Sequence, residues 1–417
     1  MSDITFRSFD IPDDITDDLR GWFDAVGLGF NQKQASDEAL SRWREEVGRD
    51  GWRLDGAYAP ASELSLGAHL PVATFATITQ TINTGGGHLE PACFITDVTV
   101  RTTHRRRRLL STLMDAALRR ARDEGLTLAA LTVTEGAIYG RFGFGVATEH
   151  HTAELDTGPR FGLVHPVEPR VEMMHTDASV AVRREVFDRF HAATRGSHTR
   201  LAFYDAFLSG AWDFDKGGPN KAMRAAVHLR PDGRPDGILA YEVDAEAETV
   251  KVRDLLALNA EAELGLWQFV AAIDLAEKAT TRRLSPTSVL PWALTDPRRL
   301  KLTGSNDFTW LRVLDAPGAL AVRGFDADGE ATLEVVDPRG MASGSWRVAA
   351  RDGRAEVTPA SDAVVQVDVR GLASLYLGMA DARVLAGAGL ISGPDADVAA
   401  LGRLFRTEQP PHNTSVF

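Results

Sequence analysis

At 417 residues, 44% of them hydrophobic and 25% charged, the chain is too long for one ordinary core and has the composition of several globular domains, three at the usual domain size. The 46 Lys+Arg against 58 Asp+Glu give a formal charge of −12, which argues against nucleic acid and anionic membranes as partners and for cationic ones. A single cysteine, Cys93, excludes an internal disulfide framework; with no paired Cys/His spacing no metal is expected, and a reducing cytoplasmic compartment is.

The opening MSDITFRSFDIPDD has neither the basic start nor the apolar run of a signal peptide. No stretch approaches roughly 18 uninterrupted apolar residues, so no membrane span is expected. Residues 1–150 read as mixed α/β: a helix near Thr16–Phe23, a strand over Val72–Ile82, a turn at Thr84-Gly85-Gly86-Gly87, and a buried strand at Cys93–Val100. The basic loop HRRRR follows, and then a helix whose Leu110, Leu113, Met114, Ala117 and Ala121 form an apolar stripe. Leu126–Thr134 is a further strand.

Residues 151–300 repeat this order more faintly. Gly237–Val243 and Thr249–Leu256 suit paired strands and Glu263–Ala276 a helix, without the basic loop; the region is a degenerate copy of the first or an unrelated α/β domain. From 301 to 417 short alternating strands (Thr309–Leu314, Ala331–Val336, Trp346–Ala349, Val364–Val369) and helices near Leu372–Ala380 and Asp381–Ala388 indicate a small α+β domain. Pro410-Pro411 ends regular structure, and His412–Phe417 forms an extended tail that either frays, as most chain ends do, or threads into the body.

Two local patterns carry chemistry. A loop of backbone N–H groups entering a helix N-terminus is a receptor for a pyrophosphate, to which Arg105, Arg106 and Arg107 would add charge-assisted contacts; the alternative is a basic run that is simply solvated. About thirty residues on comes Tyr139-Gly140-Arg141-Phe142-Gly143-Phe144. Tyr139 is either a candidate proton donor or a packing aromatic. No Gly-x-Ser-x-Gly elbow, Walker loop or Gly-x-Gly-x-x-Gly is present, and His150-His151 lacks the spacing of a zinc pair.

A basic loop opening a helix, then a strand, then Tyr-x-x-x-Gly-Phe resembles the GNAT superfamily of acetyltransferases. The segment Glu135–Gly145, together with Thr103-His104-Arg105-Arg106-Arg107, Trp310-Leu311-Arg312-Val313, the Ala319-Leu320…Arg323-Gly324-Phe325 block and Ser374-Leu375-Tyr376-Leu377-Gly378, looks like the enhanced intracellular survival (Eis) family of mycobacteria and other actinobacteria. The resemblance implies α/β and α+β multidomain architecture: two GNAT-type mixed α/β domains, 1–150 catalytic and 151–300 degenerate, then a sterol-carrier-like α+β domain, 301–417, with an inserted tail. It implies a hexamer, acetyl-CoA as co-substrate, and transfer to primary amines of aminoglycosides or similar polyamines, with Tyr139 as general acid and the terminal carboxylate of Phe417 as general base. A terminal carboxylate with an ordinary pKa of roughly 3.5 is a weak base and needs desolvation or a water chain for this work.

The resemblance also implies a CoA site of main-chain groups at Val98, Thr99 and Val100 and in the loop Arg105, Arg106, Arg107, Arg108 and Leu109. Arg108 departs from the superfamily pattern, which has glycine there for close approach to phosphate and positive φ. For the amine, acidic and aromatic residues near the catalytic strand and first helices are candidates: Trp22, Asp24, Phe30, Asp97 and Glu135. The alternatives are a protein-lysine or small-amine acetyltransferase, or a lipid-binding carrier or regulator with an inactive acetyltransferase domain.

Overall fold

The computed structural model describes residues 4–60 and 64–417, so the first three residues of the N-terminal segment lie outside it. The first unit runs β1 (Thr5–Asp10), α1 (Asp17–Gly29), α2 (Asp37–Asp50), β2 (Arg53–Tyr58), β3 (Ala73–Gly85), β4 (His88–Val100), α3 (Leu109–Asp123), β5 (Leu128–Thr132), α4 (Gly136–Tyr139) and β6 (Gly145–Val146). Thr16 and Ser36 cap α1 and α2, each accepting from the third residue on, and acidic residues fill both first turns. The apolar stripe of α3 is buried as its spacing requires: Leu113, Met114, Ala117 and Ala121 pack on Cys93, Ile95, Ala129 and Leu131. Complete burial of Leu118 alone contributes about 2 kcal/mol. Leu19, Trp22 and Val26 of α1 cover the opposite face of the sheet, against Leu54, Ala76 and Ile78.

The second unit runs β7 (Glu149–Asp156), β8 (Val171–Met174), α5 (Ser179–Ala193), α6 (Phe203–Ser209), β9 (Arg224–Leu229), β10 (Pro235–Asp244), β11 (Thr249–Ala257), α7 (Ala260–Ala271), β12 (Lys278–Leu284), α8 (Leu290–Ala293) and β13 (Leu300–Asp307). Its seven strands are ordered β13-β7-β12-β11-β10-β9-β8, and β11-α7-β12 is a parallel crossover like β4-α3-β5. The helix expected at Glu263–Ala276 starts earlier because Asn259 caps it, its side chain accepting from Ala262 N.

β14 (Thr309–Val313) corrects the expected boundary at 300. It lies inside the first sheet, in the order β1-β2-β3-β4-β5-β14-β6, while β13 belongs to the second. The reason is burial on both sides: Leu311 and Val313 enter one core, and fully buried Arg312 pairs with Asp337 at 2.6 Å. The third unit therefore begins after β14, with α9 (Ala316–Val322), β15 (Gly329–Val336), β16 (Gly344–Arg351), β17 (Arg354–Pro359), β18 (Gln366–Asp368), α10 (Val369–Tyr376), α11 (Ala382–Gly387), β19 (Ile391–Ser392) and α12 (Asp395–Phe405). Its five-stranded sheet packs against α9, α10 and α12. Buried Arg323 donates to Tyr376 O and Phe405 O, the C-terminal carbonyls of α10 and α12, and lies between the rings of Phe325 and Phe405. No helix among the described residues is long and apolar enough to cross a membrane.

Candidate active site

The site begins with a defect in β4. Its register against β3 passes from Ala76↔Thr96 to Thr74↔Thr99, so Asp97 and Val98 together face one residue, and Asp97 takes a φ of 50°. The parallel ladder between β4 and β5 ends at Ile95↔Leu131. Beyond it the two strands are no longer paired, leaving the main chain of Val98, Thr99 and Val100 without a partner in β5. Gly29 lets α1 close on this segment: a Cβ there would lie 2.4 Å from that of Thr99.

The basic loop leaves the end of β4. Arg106 and Arg108 have φ of 63° and 61°, an arrangement of left-handed residues that turns successive N–H groups to one side. Arg108 thus adopts the conformation for which the superfamily uses glycine, at a cost of about 1–2 kcal/mol for a residue with a Cβ. It is the N-cap of α3 but makes no side-chain cap, so the N-cap residue leaves the first-turn N–H groups of α3 without a side-chain acceptor. Arg105 to Arg108 are all exposed, and Leu109 is buried. These features fit the pyrophosphate of acetyl-CoA.

Tyr139 ends α4, just past β5. Its side chain is buried against Phe144, with ring centroids 6.3 Å apart, and its hydroxyl bonds to no other group among the described residues. Burial, reinforced by the charge of Glu135, pushes the phenol up to about 12, so it holds its proton at neutral pH. The glycines that follow have separate reasons. Gly143 has a φ of 87° and lies against Arg312, while a Cβ on Gly145 would overlap Arg370 O of α10.

The tail does not fray. His412–Ser415 are buried, and the chain runs between the units into the first domain, where Thr96 Oγ1 of β4 donates to Phe417 O at 3.1 Å. The Phe417 ring meets Phe94 and His198 edge-on, at 4.7 and 5.0 Å.

Comparison with known proteins agrees with this geometry. Models of the acetyltransferase (GNAT) domain match residues 15–147 and 209–313, and a sterol carrier protein domain matches 316–414. The chain is 31% identical over 397 residues to the N-acetyltransferase Eis of Mycobacterium tuberculosis H37Ra, covering 92% of each. The chain belongs to the Eis family of GNAT N-acetyltransferases. An uncharacterized N-acetyltransferase of Streptomyces avermitilis is 32% identical over 364 residues, 83% of this chain and 86% of that one. The crystal structure of Eis1 from Mycobacterium abscessus superposes with a TM-score of 0.79 at 25% identity, covering 99% of this chain and all of that one. The second unit is thus a GNAT domain, not an unrelated α/β domain.

Of the residues expected to face the amine in this Eis-family chain, Trp22 does not. It is fully buried, its indole N–H donating to Asp55 O at 2.9 Å and its ring stacked on Trp43, because α1 turns its apolar stripe inward. Phe30, at the C-cap of α1, is exposed, Asp24 is half-buried, and Glu135 is exposed at the N-cap of α4. Asp97 lies at the bulge itself. Its carboxylate has no partner among the described residues, and burial pushes it up to about 7. Sequence reasoning missed Thr96, His198, Arg200, Tyr204 and Arg283. No local signal marks them, since they meet the tail only in the folded chain.

Proposed function

We propose that this N-acetyltransferase transfers the acetyl group of acetyl-CoA directly to primary amines of aminoglycosides or similar polyamines. The observation that carries the reading is the chain terminus seated on Thr96 of β4, where β4 and β5 part. The exposed basic loop, the left-handed Arg106 and Arg108 and the uncapped α3 support binding of the co-substrate.

In this reading the terminal carboxylate of Phe417 takes a proton from the substrate ammonium, freeing the nitrogen lone pair to attack the thioester carbonyl. The new C–N bond forms as the C–S bond breaks. Tyr139 gives its phenolic proton to the departing thiolate; the amide nitrogen sheds its second proton, which restores the phenol, and the proton held by Phe417 passes to solvent. Asp97, Asp24 and Glu135 offer acidic groups near this cleft for a polycation, with Phe30 as an apolar contact. The net charge of −12 favours the approach of such a substrate. A hexamer is part of the same proposal, supported by the apolar surface around Trp292 (88% exposed) and Val164 (54% exposed), which are brought together where Val164 N donates to Ala293 O.

The test is thiol release from acetyl-CoA with a panel of aminoglycosides and lysine peptides, using the full chain, Tyr139→Phe and a chain lacking Phe417. Aminoglycosides should support turnover above the peptides, and each variant should lose about 100-fold or more in kcat. Wild-type turnover in both variants would remove the proposed acid and base. Turnover with peptides alone would transfer the reading to protein lysines.

A further inference from the structure

The terminal carboxylate carries no covalent anchor beyond the tail, and a chain end left to itself samples many positions. Something must hold it, and the holding groups come from the second domain. Arg283, on β12, donates to Thr414 O and to the Tyr204 hydroxyl. Tyr204, on α6, accepts the main-chain N–H of Val416 at 2.7 Å. Arg200, between α5 and α6, donates to the side chains of Thr414 and Ser415 at 3.1 and 3.3 Å and is itself held by Asp254 at 2.9 Å. Asp254 in turn takes Arg183 at 2.8 Å, so the clamp is fixed to the centre of the second sheet. Arg200 also lies over the rings of Phe187 and Tyr204.

The tail is shaped to fit. Asn413, fully buried, accepts Ser415 N and donates to Ser415 O, to Thr309 Oγ1 and to His198 Nε2, bending the chain so that Val416 and Phe417 turn toward β4. Burial brings His198 down to about 3, so the ring is neutral at physiological pH. It accepts from Asn413 at Nε2 and donates from Nδ1 to Thr199 O. Every one of these hydrogen bonds ends one or a few residues before Phe417, and Phe417 itself takes one from Thr96 and the edge of the His198 ring.

We infer that Arg283, Tyr204 and Arg200 of the second domain are positioning residues of the acetyl transfer, holding the chain terminus in the cleft of the first domain; the inference rests on the reading of Phe417 as the base. The second GNAT domain then has a task in catalysis without a reactive group of its own.

The experiment is a set of double-mutant cycles with the full chain, measuring kcat and the KM for acetyl-CoA for Tyr204→Phe, Arg283→Met and Arg283→Lys, each with and without Phe417. With Phe417 present, Tyr204→Phe and Arg283→Met should lower kcat about tenfold or more while the KM for acetyl-CoA stays within about twofold, and Arg283→Lys should recover most of the loss. Without Phe417 the same substitutions should change kcat no further. An equal loss in both backgrounds would overturn the inference in favour of a purely structural role. So would unchanged kcat in the substituted full chains while the Phe417 deletion is severe, leaving the base assignment standing. An unaffected Phe417 deletion would instead bring down the base assignment first. Tyr204→Phe keeps the ring and serves as the second variant if Arg283→Met fails to fold, which circular dichroism would reveal.

Discussion

The first and second domains solve one construction in opposite ways. Each has a parallel strand pair joined through a helix, β4-α3-β5 and β11-α7-β12. In the first, an exposed basic loop separates strand from helix, two of its residues have left-handed backbone, and the helix N-terminus has no side-chain cap. In the second, only Leu258 and Asn259 intervene, Asn259 caps the helix, and Glu261 and Glu263 occupy its first turn. Glu263 already accepts from Ser288 Oγ and Val289 N, and burial raises its carboxyl. A phosphate at that end would meet a filled cap and two acidic side chains. The same geometry is therefore open to an anion in one copy and closed to it in the other, and the second copy's polar side chains meet the tail instead.

The comparison can be broken first on stability. If the second domain is a frame, removing the carboxylate at its centre should cost folding energy. Asp254→Ala leaves Arg183 and Arg200 buried without their counter-charge and should destabilise by about 3–5 kcal/mol in denaturant melts. Burial alone would raise the Asp254 carboxyl, but Arg200 and Arg183 outweigh it and hold it below its ordinary value. A depressed carboxyl stabilises above its unfolded pKa of roughly 3.9 and loses that contribution as pH falls through the lower folded value. Acid titration of wild type should therefore lose stability below about pH 4 by a component that Asp254→Ala lacks.

A sharper comparison comes from acetyl-CoA calorimetry. One molecule per chain should bind, at the first domain; two would contradict the exclusion argued for α7. Replacing Arg105 and Arg106 together by Ala should weaken that binding about tenfold, the worth of a charge-assisted contact or two. The smallest effect should come from Arg108→Gly. Its backbone already has φ 61°, so glycine relieves the crowding of a Cβ but adds freedom to the unfolded chain. Affinity within about threefold of wild type would show that the loop shape depends on the backbone and not on the side chain at 108.

Much of the first domain was legible because its signals are local. The period of three and four in Leu113, Met114, Ala117 and Ala121 specifies a helix with one buried face wherever it packs, and the run Cys93–Val100 specifies a strand. The basic loop and Tyr139-Gly140-Arg141-Phe142-Gly143-Phe144 were equally visible, although the reason for Gly143 and Gly145 lies in contacts with Arg312 and Arg370 far along the chain. Trp22 illustrates the opposite failure. An aromatic beside an acidic residue on α1 suited a pocket as well as a core, and only the direction in which α1 packs decides between them.

By itself the sequence determined the element types, the basic loop before α3 and the phenol of Tyr139, because these depend on periodicity, backbone preference and side-chain chemistry within a few residues. Only the tertiary structure decided that β14 belongs to the first sheet, that Trp22 faces the core, and that Phe417 ends on Thr96 within a frame of Arg200, Tyr204 and Arg283. The physical reason is separation along the chain. Thr96 and Phe417 are 321 residues apart, and their contact exists only when several packed surfaces have formed, so no local pattern can encode it.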